Sequence, residues 1–320
     1  MTKLTKFLLQ SVAGCIGVIL FSTFIWTLSI ASPLSAQIPL DDVSFPADIQ
    51  APSIVDLTVN PASYVPPNLD QSENPTEGTR APIGLEDRVP MTSSNYPWSA
   101  VGRIIGIGAD QSSYYCTGSL VATDIVLTNS HCVVDPETHE PSIAIQFQPN
   151  LVNGLLQDEN NAAAAIAVEY GTDFRDDNAV PNPNDWAFIQ LDKPLGEIYG
   201  TLGLATLSVE ELIDIYDGQL VMVGYSRDFP SDNPGETAGA HRGCSVLGEV
   251  RDSLIHECDS FGGASGGPIL ADVDGEPRIV ALHTGGRTQE YREEGSNSTI
   301  RVGVVNYAVK ISRILDAVNQ

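Results

Sequence analysis

The sequence Gly262-Gly263-Ala264-Ser265-Gly266-Gly267-Pro268 places a serine between glycines on both sides. Glycine has no Cβ, so this backbone can turn sharply and bring its N–H groups close to a ligand. A nucleophile for acyl transfer needs an exposed hydroxyl and N–H groups that meet the developing oxyanion. A glycine-rich surface loop has the same composition. The stretch alone therefore leaves both interpretations open.

Two other stretches favour the catalytic interpretation. Residues 126–132, with the sequence VLTNSHC, carry a histidine to the end of an apolar run. Residues 184–191, with the sequence NDWAFIQL, place an aspartate ahead of an alternating apolar strand. The chain order His131, Asp185, Ser265 is the order of chymotrypsin-type proteases.

On these residues the chain resembles the trypsin-like serine proteases, and within them the bacterial glutamyl endopeptidases, over about residues 81 to 320. The resemblance implies an all-β fold of two packed six-stranded antiparallel β-barrels, chymotrypsin-like, with a C-terminal helix. Many short apolar runs separated by turn signals agree with a barrel or a sandwich. Apolar residues recur at helical spacing between Ala308 and Asn319, which predicts the closing helix.

The resemblance also implies a role for each candidate catalytic residue. Ser265 attacks the carbonyl carbon, His131 takes its proton and later protonates the leaving amine, and Asp185 orients the histidine. The N–H groups of Gly263 and Ser265 form the oxyanion hole. Ala264 stands where trypsins carry an aspartate that pairs with the new N-terminus, which excludes activation through that ion pair. Glutamyl endopeptidases lack that aspartate as well.

The cysteine count points to disulfides. Cys15 lies in the N-terminal apolar segment, and the four cysteines beyond it form an even set. In an exported chain, such a set suggests two disulfides. The resemblance implies that Cys116 pairs with Cys132 around the histidine, and we expect Cys244 to pair with Cys258.

Three residues are candidates for the substrate pocket. Asp259 falls where trypsins place the carboxylate that binds Lys or Arg. Ser260 and His283 fall where glutamyl endopeptidases place a hydroxyl and a histidine. We therefore expect cleavage after Glu, less often after Asp, with trypsin-like cleavage after Lys or Arg through Asp259 as the alternative. In a Glu-binding pocket, Asp259 must point elsewhere or be neutral, because its charge would repel the substrate.

The N-terminus has the pattern of a secretory signal peptide. Lys3 and Lys6 precede a long apolar run that ends in small residues, so we expect a signal peptide over residues 1–36. An uncleaved membrane anchor is the alternative, since about 20 apolar residues can span a bilayer.

The Pro-rich residues 37–80 are interpreted as a propeptide or a linker. Residues 83–88, with the sequence IGLEDR, look like the mature start of glutamyl endopeptidases. We therefore expect processing close to Arg80 and a trypsin-like serine protease domain over residues 81–320.

The formal net charge of −25 and the pI near 4.2 argue against nucleic-acid binding, which needs a basic face. We expect protein or peptide substrates, no cofactor, no metal and no stable membrane association after signal removal. We also expect secretion, to the extracellular space or the periplasm, and a monomer.

Two other classes of protein remain as alternatives. Residues 263–267 match the G-x-S-x-G nucleophile elbow of α/β-hydrolases, but that fold needs a helix after the serine and the order Ser, acid, His. Here an apolar strand follows the serine instead. A catalytically inactive protease fold used for binding is the other alternative, and the presence of all three triad residues argues against it.

Overall fold

The computed structural model describes residues 62–72, 86–176, 179–292 and 299–319. The expected signal peptide, most of the expected propeptide or linker, and the expected mature start near residues 81–83 lie outside these residues. Within them the chain forms fifteen strands. In chain order the strands are β1 (Arg88–Pro90), β2 (Val101–Ile107), β3 (Ser113–Ala122), β4 (Ile125–Thr128), β5 (Ala144–Pro149), β6 (Ala163–Tyr170), β7 (Ala187–Leu191), β8 (Gly203–Leu204), β9 (Leu220–Gly224), β10 (Gly239–Cys244), β11 (Val246–Val250), β12 (Ser253–His256), β13 (Pro268–Val273), β14 (Glu276–Arg292) and β15 (Thr299–Lys310).

The first sheet is a closed barrel of six strands in the order β2-β3-β4-β7-β6-β5. Apolar side chains such as Ile104, Leu120, Val126, Phe147 and Phe188 are fully buried in it. β-branched and aromatic residues fit the pleated, half-buried surface of a strand, which explains why these runs form strands. The six-stranded barrel expected for the first half is therefore present.

The second sheet differs in strand count from the expected six-stranded barrel. It has nine strands, with the path β1-β10-β9-β13-β14-β15-β12-β11 and the two-residue β8 beside β14. β1 extends one edge of the path by pairing with β10. The number of strands in a sheet, and whether the sheet closes into a barrel, depend on hydrogen bonds between segments far apart in sequence. The apolar alternation within one segment does not predict these pairings.

The two sheets share one apolar core. Its buried residues come from the barrel, for example Leu127 and Ile189, and from the nine-stranded sheet, for example Val221, Ile279 and Val309. The all-β class and the two-sheet architecture predicted from sequence are confirmed.

Three α-helices complete the described residues: α1 (Gly196–Tyr199), α2 (Val209–Asp214) and α3 (Ile311–Val318). α3 is the predicted closing helix, and it buries Ile311, Ile314 and Leu315 against the core. Among the residues that the structure describes, none of the helices has the length and apolar character needed to cross a membrane.

Candidate active site

Pairing of β4 with β7 brings the candidate histidine and aspartate together. His131 lies in a short 3-10 turn just after β4, and Asp185 lies just before β7. The register pairs Thr128 with Ala187, so the two segments leave the barrel side by side. His131 Nδ1 lies 2.7 Å from Asp185 Oδ2, and the His131 backbone N–H donates to Asp185 Oδ1 at 3.1 Å. The aspartate is therefore hydrogen-bonded to both the ring and the backbone of the histidine.

This geometry sets the proton affinity of the imidazole. Burial alone would lower the pKa of His131, but the charge of Asp185 and its hydrogen bond raise that pKa above the ordinary value of 6.5. Asp185 is only 7% exposed, so its carboxylate acts at short range and with little screening by water. With Nδ1 hydrogen-bonded to the carboxylate, Nε2 is the nitrogen left to exchange protons.

Ser265 comes from the other sheet, in the loop between β12 and β13. Its hydroxyl donates to the carbonyl of Thr284 at 3.2 Å, which is long for an O–H···O bond. Thr284 lines the same cleft as His131 and Asp185, whereas no hydrogen bond joins Ser265 to His131 among the described residues. Rotation about its Cα–Cβ bond gives up only this weak hydrogen bond, and catalytic hydrogen bonds often tighten only when substrate binds.

Around Ser265, some backbone N–H groups have an acceptor among the described residues and others, including that of Gly262, have none. Three residues of the loop donate their N–H groups to nearby carbonyls, namely Ala264, Gly266 and Gly267. Among the described residues, by contrast, nothing accepts a hydrogen bond from the N–H of Gly263 or of Ser265. Two neighbouring donors with no protein acceptor, next to a serine hydroxyl, have the composition of an oxyanion hole.

Two glycines of the loop are required by its conformation. Gly263 has φ +103° and Gly266 has φ +80°. A Cβ on Gly263 would lie 2.4 Å from the carbonyl oxygen of Tyr225, and a Cβ on Gly266 would lie 2.2 Å from that of Thr117. Both the backbone angle and the space therefore exclude a side chain at these positions.

His283 is buried beside a second histidine. His256 Nε2 lies 3.1 Å from His283 Nδ1, and His256 Nδ1 accepts the backbone N–H of Cys258 at 3.2 Å. That donor assigns the His256 proton to Nε2, which donates to His283 Nδ1 and so leaves the His283 proton on Nε2.

Both rings are neutral at neutral pH. Burial lowers the pKa of His256 to about 3. Burial, followed by the nearby rings of His256 and His131, lowers the pKa of His283 well below its ordinary value. The backbone carbonyl of Tyr307 acts against the fall in pKa of both rings. His283 is therefore neutral, with its proton on Nε2.

Asp259 is hydrogen-bonded to the segment before β1 and to β10. Its Oδ2 accepts the backbone N–H of Asp87 at 3.0 Å, and its own N–H donates to His241 Nδ1 at 2.8 Å. Burial raises the pKa of Asp259, although the Asp87 N–H and His241 act against that rise. Ligand atoms of these three residues lie within 4.8 Å of one another. Ser260 follows Asp259 and is half-buried.

The cleft beside the histidine has a volume of about 360 Å³. Its wall next to His131 is apolar and includes Phe174, Val180 and Pro181. Its opposite side is formed by Gly285 and neighbouring residues of β14. An extended peptide can lie between an apolar wall and a strand edge of this kind.

A search against protein families matches residues 116–282 to the model described as trypsin-like peptidase domain. The match covers more than half of the 320 residues and contains His131, Asp185 and Ser265. The chain belongs to the trypsin-like peptidase family.

Relatives of this peptidase include Serine protease 23 of Rattus norvegicus, which is 24% identical over 239 residues that cover 67% of this chain and 58% of the relative. Serine protease 23 of Bos taurus is 22% identical over 75% of this chain and 66% of its own length. The Vitellin-degrading protease of Bombyx mori is 31% identical over 44% of this chain and 46% of its own. The chain thus spans about three fifths of the length of the Serine protease 23 relatives that it matches.

Solved structures with the same fold include a Glu endopeptidase in complex with MPD. It superposes with a TM-score of 0.57 at 22% identity, covering 74% of this peptidase and 99% of that chain. The thermostable serine protease AL20 superposes with a TM-score of 0.52 at 17% identity, covering 69% and 96%. At these identities the likeness establishes the chymotrypsin-like fold.

Both expected disulfides are present in the structure. Cys116 is bonded to Cys132 and Cys244 to Cys258, with sequence separations of 16 and 14. Cys132 follows His131 directly, so the first disulfide ties the histidine turn to β3.

Sequence analysis missed Thr117, which lies next to Cys116 and is fully buried. Its hydroxyl donates to the carbonyl of Gly263 at 3.0 Å and accepts the N–H of Tyr225 at 2.9 Å. Its backbone N–H donates to the carbonyl of Ser265 at 2.8 Å. Thr117 therefore joins the barrel to the serine loop at two points and to the end of β9 at a third. A threonine in an apolar strand carries no signal of this role in sequence.

His256 was missed as well. Its place beside His283 results from the pairing of β12 and β14 with β15 between them. A lone histidine at the end of a short strand gives no sequence pattern that links it to another histidine 27 positions away.

Proposed function

We propose that the chain is a secreted serine endopeptidase that hydrolyses peptide bonds after Glu and, less often, after Asp. Ser265 is the nucleophile, His131 the general base and acid, and Asp185 the residue that orients the histidine and stabilises the imidazolium. The N–H groups of Gly263 and Ser265 bind the oxyanion.

One observation carries this proposal: Asp185 holds the ring of His131 at a cleft whose lining residue Thr284 accepts the hydroxyl of Ser265. Among the described residues, the N–H groups of Gly263 and Ser265 have no acceptor. As the Ser265 hydroxyl transfers its proton to Nε2 of His131, its oxygen gains the negative charge that makes it a nucleophile. The tetrahedral oxyanion then finds two donors that need no rearrangement, which is where most of the electrostatic stabilisation arises. The same imidazolium returns its proton to the leaving amine.

The preference for Glu rests on the histidine pair. In the assigned tautomer His283 presents Nε2–H as a donor, and a hydrogen bond to a charged acceptor is stronger than one between neutral groups. The hydroxyl of half-buried Ser260 adds a second donor. Asp259 has its Oδ2 engaged by the N–H of Asp87 at 3.0 Å, which supports an orientation of this carboxylate away from an acidic substrate.

Two alternatives are tested by the same experiment. Trypsin-like cleavage after Lys or Arg would need Asp259 to reach the substrate instead of the N–H of Asp87. A catalytically inactive protease fold that only binds proteins would keep the geometry and lack turnover.

The organisation of the precursor belongs to the proposal. Residues 1–36 serve as a signal peptide, residues 37–80 as a propeptide or linker, and residues 81–320 as the protease domain, which acts as a monomer outside the cytoplasm. N-terminal sequencing of active enzyme tests the boundary near Arg80.

Profiling of cleavage sites on a mixed peptide library tests activity and specificity together. The wild-type chain is expected to cut after Glu, and Ser265→Ala is expected to reduce turnover by about 10⁶-fold and to abolish labelling by an organophosphonate. Ser231→Ala is the matched control, since it removes an exposed hydroxyl that the proposed site does not use and should retain turnover and labelling. Full turnover by Ser265→Ala would end the serine-protease proposal, and wild-type cleavage after Arg alone would reverse the specificity.

A further inference from the structure

Residues 62–72, which we call the strap, lie against the peptidase domain although sequence analysis assigns them to the propeptide or linker. They belong to the same compact unit as the two sheets. The N–H of Tyr64 donates to the carbonyl of Thr201 at 3.0 Å, and the N–H of Thr201 donates back to the carbonyl of Tyr64 at 2.8 Å. A reciprocal pair of this kind is the hydrogen-bonded unit of an antiparallel sheet.

A second backbone connection holds the other end of the strap. The N–H of Tyr96 donates to the carbonyl of Asp70 at 2.8 Å, and the N–H of Ser72 donates to the carbonyl of Tyr96 at 2.7 Å. Tyr96 is 2% exposed and lies just before the 3-10 turn that leads into β2. The strap is thus bonded to the segment through which the chain enters the barrel.

The side chain of Ser63 connects the strap to the nine-stranded sheet. Its hydroxyl donates to the carbonyl of Pro277 at 3.1 Å and accepts the N–H of Gly203 at 3.0 Å. Pro277 lies in β14 and Gly203 in β8. Together with the contacts of Tyr96, these bonds place the strap across the junction of the two sheets.

The surface beneath the strap is shaped for it. Pro66 is buried, and Val65 and Leu69 pack against the main apolar core. Gly200 has φ +79°, and a Cβ there would lie 2.9 Å from the carbonyl oxygen of Tyr64 and 3.3 Å from Pro66 Cδ. A glycine with a positive φ at the point of closest approach lets the two backbones meet.

We propose that the surface around Thr201 and Tyr96 is a binding site for the strap that does not depend on the covalent link between them. When the chain is cut anywhere in residues 73–85, the strap stays bound, and the processed monomer consists of two fragments of one chain held together without a covalent bond. This inference goes beyond the proposed peptidase activity and needs neither Ser265 nor the expected processing near Arg80.

The test uses the full chain with Ser265→Ala, which removes self-cleavage, and with the recognition sequence of a site-specific protease inserted after Gly78. After complete cleavage, shown on a denaturing gel, the sample is run on a size-exclusion column under native conditions and analysed by mass spectrometry. We expect the N-terminal fragment to elute with the peptidase domain in a 1:1 ratio and to separate from it in denaturant. Separate elution under native conditions would overturn the proposal.

Variants show whether the strap itself holds the fragment. Tyr64→Pro removes the N–H that bonds Thr201, and Ser63→Ala removes the hydroxyl that joins Pro277 and Gly203; each should speed release of the fragment about tenfold or more. Asn68→Ala is the matched control, because Asn68 is exposed and lies at the turn of the strap. Release rates of both variants equal to that of Asn68→Ala would assign the binding to other residues and refute the proposal, even if the fragment co-elutes.

Discussion

At the scale of single residues, the chemistry depends on how Asp185 changes His131. The carboxylate contacts both Nδ1 and the backbone N–H of the histidine, so one side chain sets both its tautomer and its position. Burial lowers the pKa of the imidazole and the interaction with Asp185 raises it, and the net effect is a raised pKa. The sign of that balance has a measurable consequence for the pH dependence.

In the proposed mechanism the neutral form of His131 is the base, so we expect activity to be lost as the pH falls through its pKa. Because that pKa is raised, the acid limb of kcat/KM should have its midpoint above 6.5. Asp185→Asn should lower kcat by about 10⁴-fold and move the midpoint below that of wild type, since burial then acts unopposed. Asp316→Asn, at an exposed position of α3, should change neither value. The pH–rate profiles of the three proteins decide the matter, and an unmoved midpoint in Asp185→Asn would contradict the assignment.

The specificity pocket gives a second prediction at this scale. His283→Ala removes the Nε2–H donor and should lower kcat/KM for a Glu substrate by about 100-fold, the worth of a hydrogen bond to a charged group. Asp259→Asn keeps an oxygen that can accept a hydrogen bond from the Asp87 N–H, so it should lower kcat/KM for the Glu substrate by less than about tenfold. Kinetics on matched peptides with Glu, Gln and Arg at the cleaved position provide the measurement. Loss of Arg cleavage in Asp259→Asn, with no Glu cleavage by wild type, would support the trypsin-like alternative.

At the scale of elements, the serine loop owes its conformation to the barrel rather than to its own sequence. Glycines allow the positive φ values of the loop, but they do not select one conformation. The selection comes from β3, because Thr117 binds the carbonyls of Gly263 and Ser265. The hydrogen bond from Thr117 holds the carbonyl of Gly263 in one direction. It thereby fixes the orientation of the Gly263–Ala264 peptide, which adjoins the peptide that carries the Gly263 N–H.

Thr117→Val keeps the shape of this side chain and removes its hydroxyl. It leaves the buried carbonyl of Gly263 without this donor and the N–H of Tyr225 without this acceptor, which should cost about 1–3 kcal/mol of unfolding free energy. We expect kcat to fall about tenfold or more with little change in KM, because the oxyanion donors act mainly in the transition state. Thr117→Ser retains the hydroxyl and should restore kcat. An equal loss in both variants would point to packing instead of hydrogen bonding.

At the scale of the whole molecule, the site exists only because two sheets share one core. His131 and Asp185 come from the barrel, whereas Ser265 and His283 come from the nine-stranded sheet. Each disulfide has one cysteine close in sequence to these residues, Cys132 beside His131 and Cys258 ahead of Ser265. Cys258 also donates its N–H to His256 and accepts from the side chain of Asn306, so the second disulfide supports the histidine pair.

Removal of the second disulfide by Cys244→Ala together with Cys258→Ala should therefore have two effects. The free energy of unfolding should fall by up to about 3 kcal/mol, since the closed loop is about 15 residues long. The KM for Glu substrates should rise, whereas removal of the first disulfide, Cys116–Cys132, should mainly lower kcat through the histidine turn. Denaturant titration and steady-state kinetics measure both effects. Peptide mapping under non-reducing conditions that found crossed pairs would contradict the assignment.

The family, the all-β class, the closing helix and the candidate triad were all predictable from sequence. Each of them depends on a local pattern: glycines around Ser265, an apolar run before His131, an aspartate ahead of a strand, and apolar residues at helical spacing in α3. Other features appear only in the folded chain. They are the nine strands of the second sheet, the contact of Asp259 with Asp87, the His256–His283 pair, the hydrogen bonds of Thr117 and the docking of residues 62–72. All of these are contacts between segments far apart in sequence, and their register is set by the packing of the whole domain, which no local pattern encodes.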